Sequence, residues 1–393
     1  MIVLSVIIVI VLIVLTVGVL YLYFLAFAGL VTHKKYPEFS GNYRFLILIP
    51  AYNEQPVIGR TLQSLRDLNY KGKVEIAVIA DNCSDNTAAI ARDFGVKVLE
   101  RYDDVNRGKG YALEWAIKLY NLDNYDAVAI VDADTRVESN MLQAMAESLT
   151  AGTGAVQLYY GFLEELKTGV SYLQKMANIV ENKFFYKGRA QLGLPILLRG
   201  TGMAIKSSVL KAHPWDSHSI TEDVDYAVNL LVDGVKIDFN VNSMVMAAAT
   251  SSYQQSHSQR LRWASGTFEL IKNKMLPLIK MGLTKSRPDL IELSFSFLLL
   301  SRPLLIYIAF IMLVLSLFTG SARGTLMLWA GTLVGLLVAY LLAGIFFMKE
   351  KGRVLKSLLQ VPVYACWFVM VQVKAIIKSG KMDWKRTERK IDE

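Results

Sequence analysis

The sequence predicts an α/β domain with a mostly parallel sheet, carried between apolar segments long enough to span a membrane. Two observations support this. Apolar residues make up 53% of the 393 residues and concentrate in the first thirty positions and the last hundred. Between Tyr43 and about Asn240, short apolar runs alternate with stretches whose apolar residues recur at helical spacing.

Met1 to Leu30 is an uncharged apolar run, and a span needs about 20 such residues. A cleaved leader would open on basic residues and carry a shorter apolar core. Ala26 and Ala28 imitate a cleavage site, but the run is expected to remain as an anchor. Lys34 and Lys35 follow it, and basic flanks stay inside, so the middle domain is expected in the cytoplasm.

Phe45–Pro50, Val74–Ala80, Val96–Leu99, Ala127–Val131 and Ala155–Tyr159 read as buried strands. Val57–Leu68, Thr87–Phe94, Tyr111–Tyr120 and Met141–Leu149 read as helices, the last capped by Ser139. Such alternation predicts a sheet covered on both faces. Ligands of these sheets bind beyond the carboxyl ends of the strands, so chemistry is expected in the strand-to-helix loops.

Ser294–Phe318 and Leu326–Phe347 are each long enough to span, and the short link Thr319–Gly324 predicts an antiparallel pair. Leu355–Ile377 is interrupted by Lys356, Gln360, Gln372 and Lys374. It is expected either to lie on the cytoplasmic surface or to cross as a third helix. The expected organisation is an anchor (1–30), a cytoplasmic domain (31–253) and interfacial amphipathic helices (254–290). A membrane pair (291–348) and a last segment with a basic tail (349–393) follow.

The net charge is +9, and much of the excess flanks apolar segments: Lys34, Lys35, Lys349, Lys351, Arg353 and the tail from Lys378 to Lys390. No basic stripe is interleaved with stacking aromatics. Membrane lipids, not nucleic acid, are therefore the expected partners of this charge. The two cysteines, Cys83 and Cys366, fall in a loop and an apolar helix, which excludes a disulfide framework and a cysteine metal site.

Six stretches carry candidate chemistry. Asp132-Ala133-Asp134 directly follows a strand, and two carboxylates so placed hold one Mg2+ or Mn2+ whose other ligands are phosphate oxygens and water. The plain alternative is a solvated acidic turn. Pro50-Ala51-Tyr52-Asn53-Glu54 closes the first strand and Asp81-Asn82 the second. A tyrosine face stacks on a base and a carboxylate accepts from hydroxyls, although these residues also favour ordinary turns.

Arg107-Gly108-Lys109-Gly110 leads into a helix and suits phosphate, without the spacing of a Walker loop. A solvated basic loop is the equal alternative. Thr221-Glu222-Asp223 precedes Val224–Leu231 and reads either as a helix cap or as a general base. Gln259-Arg260-Leu261-Arg262-Trp263 offers an arginine to a diphosphate and an indole to a sugar ring. An interfacial belt, where Trp and Arg are common, explains those last residues slightly better on physics alone.

Taken in order, these stretches resemble the membrane-integrated family-2 glycosyltransferases, which include the cellulose, hyaluronan and poly-N-acetylglucosamine synthases and the ceramide glucosyltransferases. The resemblance implies a GT-A-like nucleotide-sugar domain between N-terminal and C-terminal transmembrane helices. It implies nucleotide binding by Pro50, Tyr52, Glu54, Asp81, Lys109 and Asp132, and metal binding by Asp132 and Asp134. Asp223 is implied as the catalytic base. Diphosphate and acceptor binding are implied for Glu222, Gln259, Arg262, Trp263 and the stretch Gly200-Thr201-Gly202. Trp384–Arg389 also looks like family sequence.

The family is inverting, which implies one displacement at the anomeric carbon, metal dependence and a UDP-linked donor. The membrane portion is smaller than in cellulose synthases, so a long channel built by one subunit is not expected. A partner subunit, a homo-oligomer, or transfer without secretion would each resolve this. The leading expectation is elongation of a polysaccharide at the cytoplasmic face of a bacterial plasma membrane. Transfer of one sugar to a membrane lipid is the alternative, and a non-catalytic membrane scaffold is the reading from another class.

Overall fold

The computed structural model describes the chain except residues 33, 38–40, 164–167, 249–252 and 379–393. The Trp384–Arg389 stretch and the basic tail beyond Lys378 therefore lie outside the described residues. The chain divides into two compact units. One contains Lys34–Leu166 and Pro195–Gly266; the other contains Met1–His33, Lys167–Leu194 and Thr267–Gly380.

The first of these holds one eight-stranded sheet. Its strands are β1 (Phe45–Ala51), β2 (Val74–Asp81), β3 (Lys97–Arg101), β4 (Ala127–Ile130), β5 (Thr135–Val137), β6 (Ala155–Phe162), β7 (Met203–Lys206) and β8 (Ile237–Ala247). Their order is β3-β2-β1-β4-β7-β6-β8-β5. β3, β2, β1 and β4 run parallel, β7 is antiparallel to β4 and β6, β6 and β8 run parallel, and β5 is antiparallel to β8. The sheet is mostly parallel, as the strand–helix alternation predicts, and its antiparallel pairs make it mixed. Phe45 to Ile49 are fully buried because helices cover both faces, which is why β1 reads as an unbroken apolar run.

Three strands were not expected. β5 and β7 are short, and β8 is broken as a pattern by Asp238 and Asn240. Both are buried because they have partners. Asp238 pairs with Lys34 at 2.6 Å, and the Asn240 amide donates to Ala144 O at 2.8 Å and Ser148 Oγ at 2.9 Å. The helix Met141–Thr150 starts after Asn140 with no side-chain cap, so Ser139 does not cap it.

Pro50 lies within β1, as the strand reading Phe45–Pro50 has it. A proline in a central strand normally costs a ladder bond. Here the β1–β4 ladder ends at Leu48 and Ile130, while β1 stays paired with β2 as far as Ala51. β1 and β4 part at this point, where Pro50 needs no N–H toward β4, and it is beyond the carboxyl ends of such strands that open sheets bind their ligands.

The second unit is helical. Its first helix, Ile2–Val31, buries Ile8, Leu12, Leu15, Val19, Leu22 and Leu25, yet Leu20 and Phe27 on the opposite side are 63% and 64% exposed. An apolar face left open along a helix of this length suits lipid. Among the described residues Ile2–Val31, Gly320–Phe347 and Lys351–Ile377 are long and apolar enough to cross a membrane.

Ser294–Phe318, expected as one span, is instead split between the helices Pro288–Leu298 and Arg302–Ser316, bent by 69°. Pro303 has no N–H to give the Leu299 carbonyl, and its ring would press on that carbonyl in a continuous helix. The unit also contains a π-helical turn, Glu181–Tyr186, and a buried ion pair. The Arg189 guanidinium donates to both carboxylate oxygens of Glu292, at 2.6 and 2.8 Å, and Tyr21 donates a further hydrogen bond to that carboxylate.

Candidate active site

The loops after β1 and β2 are tied to each other. Ser84 N donates to Asn53 Oδ1 at 2.7 Å, Glu54 N to Thr87 Oγ1 at 2.8 Å, and Gln55 N to Asp85 Oδ2 at 3.1 Å. Asn53 and Asn82 take left-handed conformations, with φ of 54° and 51°, which asparagine tolerates in tight turns. Tyr52 and Glu54 are half-buried on the first loop. Asp81 closes β2 and is buried, with Arg101 Nη1 donating to its Oδ1 at 2.7 Å. Burial raises its carboxyl above the ordinary range, against the pull of Arg101.

Asp132-Ala133-Asp134 turns out of β4. Ala133 points into the core at 4% exposure, and the Thr61 hydroxyl donates to its carbonyl at 2.7 Å, so the two aspartates flank a pinned residue. Asp132 N donates to Thr201 Oγ1 at 3.0 Å. Lys109 Nζ donates to Asp132 Oδ1 at 2.5 Å and to Gly200 O at 2.6 Å, joining the lysine loop, the aspartate turn and the stretch before β7.

Gly200 and Gly202 have φ of +79° and +63°, a region that other residues rarely adopt. A Cβ on Gly200 would stand 3.1 Å from Asp223 Oδ2 and 3.2 Å from Lys109 Nζ, so the glycine keeps room beside both groups.

The helix Glu222–Val232 begins at these acids. Asp223 Oδ1 accepts from Val224 N at 2.8 Å, so the residue is not an N-cap acting across the first turn. The N-cap is Thr221, and it makes no side-chain cap bond. Burial raises both carboxyls. Glu222 is pushed up to about 8, by desolvation first and then by the Asp223 charge, and Asp223 is raised by desolvation against the pull of Lys109. Burial alone would lower Lys109, but Asp132, Glu222 and Asp223 outweigh it and raise the ammonium. Arg262 is lowered by burial while the same three acids pull it up. Lys109, Asp132, Glu222, Asp223 and Arg262 thus form one electrostatic cluster.

Gln259, Arg262 and Trp263 share a face of the helix Tyr253–Thr284 at i, i+3 and i+4. Gly266, one turn further, leaves no room for a Cβ against Thr221, which sets this helix close to the start of Glu222–Val232. Arg262 enters the acidic cluster. Trp263 is 43% exposed, and Gln259 is half-buried.

The donor set around Asp132 and Asp134 suits a cation that arrives with a diphosphate. Among the described residues no three His, Cys, Asp or Glu side chains gather as a self-sufficient metal cage. Magnesium needs only one or two carboxylates when phosphate and water complete its shell.

Sequence reading missed three supporting residues: Arg101, buried against Asp81; Thr61, holding Ala133 O; and Thr135, whose hydroxyl meets that of Thr201 at 3.3 Å. Their one signal was polarity at positions that pattern alone assigns to the interior.

Sheet order and strand directions together define a GT-A-like α/β protein. The solved mannosyltransferase PcManGT from Pyrobaculum calidifontis, in complex with GDP-Man and Mn2+, shares this fold. Its TM-score is 0.55 at 18% identity, covering 88% of this chain and 98% of that one. Residues 43–266 match the family model described as glycosyltransferase like family 2, and the chain belongs to that family.

The chain is 29% identical over 255 residues to a beta-monoglucosyldiacylglycerol synthase of Trichormus variabilis, covering 61% of this chain and 54% of the relative. It is 28% identical over 244 residues to a poly-beta-1,6-N-acetyl-D-glucosamine synthase of Staphylococcus epidermidis, covering 59% and 57%. The chain thus spans little more than half the length of these two relatives.

Proposed function

We propose that this glycosyltransferase moves a sugar from a UDP-linked donor to a growing polysaccharide at the cytoplasmic face of a bacterial plasma membrane. The observation that carries the reading is the cluster of Asp132, Glu222 and Asp223 around Lys109 and Arg262. Asp223, held at a helix start beside the open Gly200, takes the proton from the acceptor hydroxyl. Its raised pKa makes it a better base once ionised. The hydroxyl attacks the anomeric carbon in one displacement, with inversion.

Lys109 and Arg262 offset charge on the departing diphosphate. Asp132 and Asp134 would hold Mg2+ or Mn2+, which when bound supplies further positive charge there. Pro50, Tyr52, Glu54 and Asp81 line the nucleotide side. Gly200-Thr201-Gly202, Gln259 and Trp263 line the acceptor side. Lys34 and Lys35, following the first apolar helix, support the cytoplasmic orientation. The helices Ile2–Val31, Gly320–Phe347 and Lys351–Ile377 would anchor the protein in membrane lipid.

Similarity to beta-monoglucosyldiacylglycerol synthases favours a second reading, transfer of a single sugar to a membrane lipid. Nucleotide release from a panel of donor sugars, followed by sizing of the product, separates the two. A ladder of polymer lengths supports the first; one glycolipid product supports the second; no release from any donor refutes both.

A further inference from the structure

We propose that Gln157 is a positioning residue for this site: its buried amide holds the turn that presents Gly200 O to Lys109 and Thr201 Oγ1 to Asp132. The inference rests on the glycosyl-transfer reading above for its kinetic consequence, and on geometry alone for its structural one.

Gln157 lies in β6 between Val156 and Leu158, and all three are fully buried. An amide in such a place is costly to bury unless it is hydrogen-bonded. Both ends of this one are used. Oε1 accepts from Arg199 N at 2.7 Å. Nε2 donates to Thr201 O at 2.9 Å and to Leu158 O at 3.0 Å, with a longer approach of 3.4 Å to Gly202 O.

The turn it grips is poorly able to hold itself. Two glycines at positive φ bracket Thr201, and glycine loses more conformational freedom on ordering than any other residue. Neighbouring strands reach one end only: Gly202 N donates to Ile130 O at 2.9 Å, and Leu158 N donates to Gly202 O at 2.8 Å. Gln157 reaches the other residues, Arg199 and Thr201. From the turn, Gly200 O takes the Lys109 ammonium at 2.6 Å and Thr201 Oγ1 takes the Asp132 N–H at 3.0 Å. One amide therefore sets the position of a cation and a carboxylate that it does not touch.

Two variants test this. Gln157→Leu removes every bond. Gln157→Glu keeps the acceptor for Arg199 N and regains a donor toward Thr201 O only while its carboxyl is protonated. Turnover of Q157L is expected to fall by about 10²-fold with the donor KM little changed, since a misplacement of about 1 Å costs that much. The Q157E-to-wild-type ratio of kcat is expected to rise as pH falls, while the Q157L ratio stays flat. Equal losses in both variants at every pH, tracking their melting temperatures, would reduce Gln157 to an ordinary core amide and overturn the proposal.

Hydrogen–deuterium exchange separates this from the fate of the functional reading. In either variant, at neutral pH, peptides covering 199–202 should exchange faster while those of β1 do not. Unchanged exchange overturns the positioning role whatever the activity. Faster exchange in a protein whose wild type transfers no sugar leaves the positioning role standing and removes the glycosyl-transfer reading instead.

Discussion

The two units both bury charge, and they do so in opposite ways. In the helical unit Arg189 meets Glu292 in a two-pronged pair, and Tyr21 adds a hydrogen bond to the same carboxylate. In the sheet unit Asp132, Glu222 and Asp223 crowd around Lys109 and Arg262, and burial lifts both Glu222 and Asp223 above their ordinary range. A matched pair of this kind satisfies its own geometry and has structural work to do. A crowded acidic cluster that destabilises its own charged forms is the kind of arrangement that marks a candidate functional site, and the proposed reading fills it with a donor diphosphate, a cation and an acceptor proton.

The contrast is broken most sharply at Asp223. Asp223→Asn should lower transfer by about 10³-fold, within the range of a lost general base, and leave nucleotide binding near wild type. Calorimetry of UDP binding beside a turnover assay checks both halves; normal turnover would remove Asp223 as the base. A chelator in excess should likewise abolish transfer, with activity returning on addition of Mg2+ or Mn2+. Full activity in the chelator would remove the metal role of Asp132 and Asp134.

The helical unit should answer differently. Arg189→Ala leaves Glu292 without its guanidinium and should cost about 3–5 kcal/mol of stability, as broken buried pairs do. The measurement is a thermal melt in detergent. Turnover per folded molecule should hold, and a variant that melts like wild type would show the pair to be dispensable.

The smallest effect is a pH dependence. The Glu222 carboxyl is raised from 4.5 to about 8, so its stabilising contribution is complete below about 4.5 and is lost as pH rises through about 8. Glu222→Gln mimics the protonated form. It should therefore melt like wild type at acidic pH and at higher temperature than wild type above pH 8. A difference between the two melts that does not grow with pH would show that Glu222 does not titrate in this window.

Much of the sheet was legible because strands buried on both faces must be apolar throughout. β1, β2 and β4 announce themselves in this way, and the helices between them show their buried stripes. β8 was illegible because Asp238 and Asn240 become acceptable in a core only when Lys34, Ala144 and Ser148 arrive from elsewhere in the chain. Ser294–Phe318 looked continuous because hydropathy does not register the carbonyl that Pro303 leaves without a donor.

The candidate site divides along the same line. Sequence by itself determined which chemical groups are available: two aspartates at a strand end, an acidic helix start, a lysine before a helix, and an arginine and tryptophan on one helical face. Residue type and local spacing are enough for that, because strand ends and helix faces are local periodicities. Tertiary structure alone decided that Lys109 bonds Asp132 and Gly200 O, and that Arg262 shares a field with Glu222 and Asp223. These groups lie far apart along the chain, and only the folded sheet, with its two left-handed glycines, brings them within reach of one another.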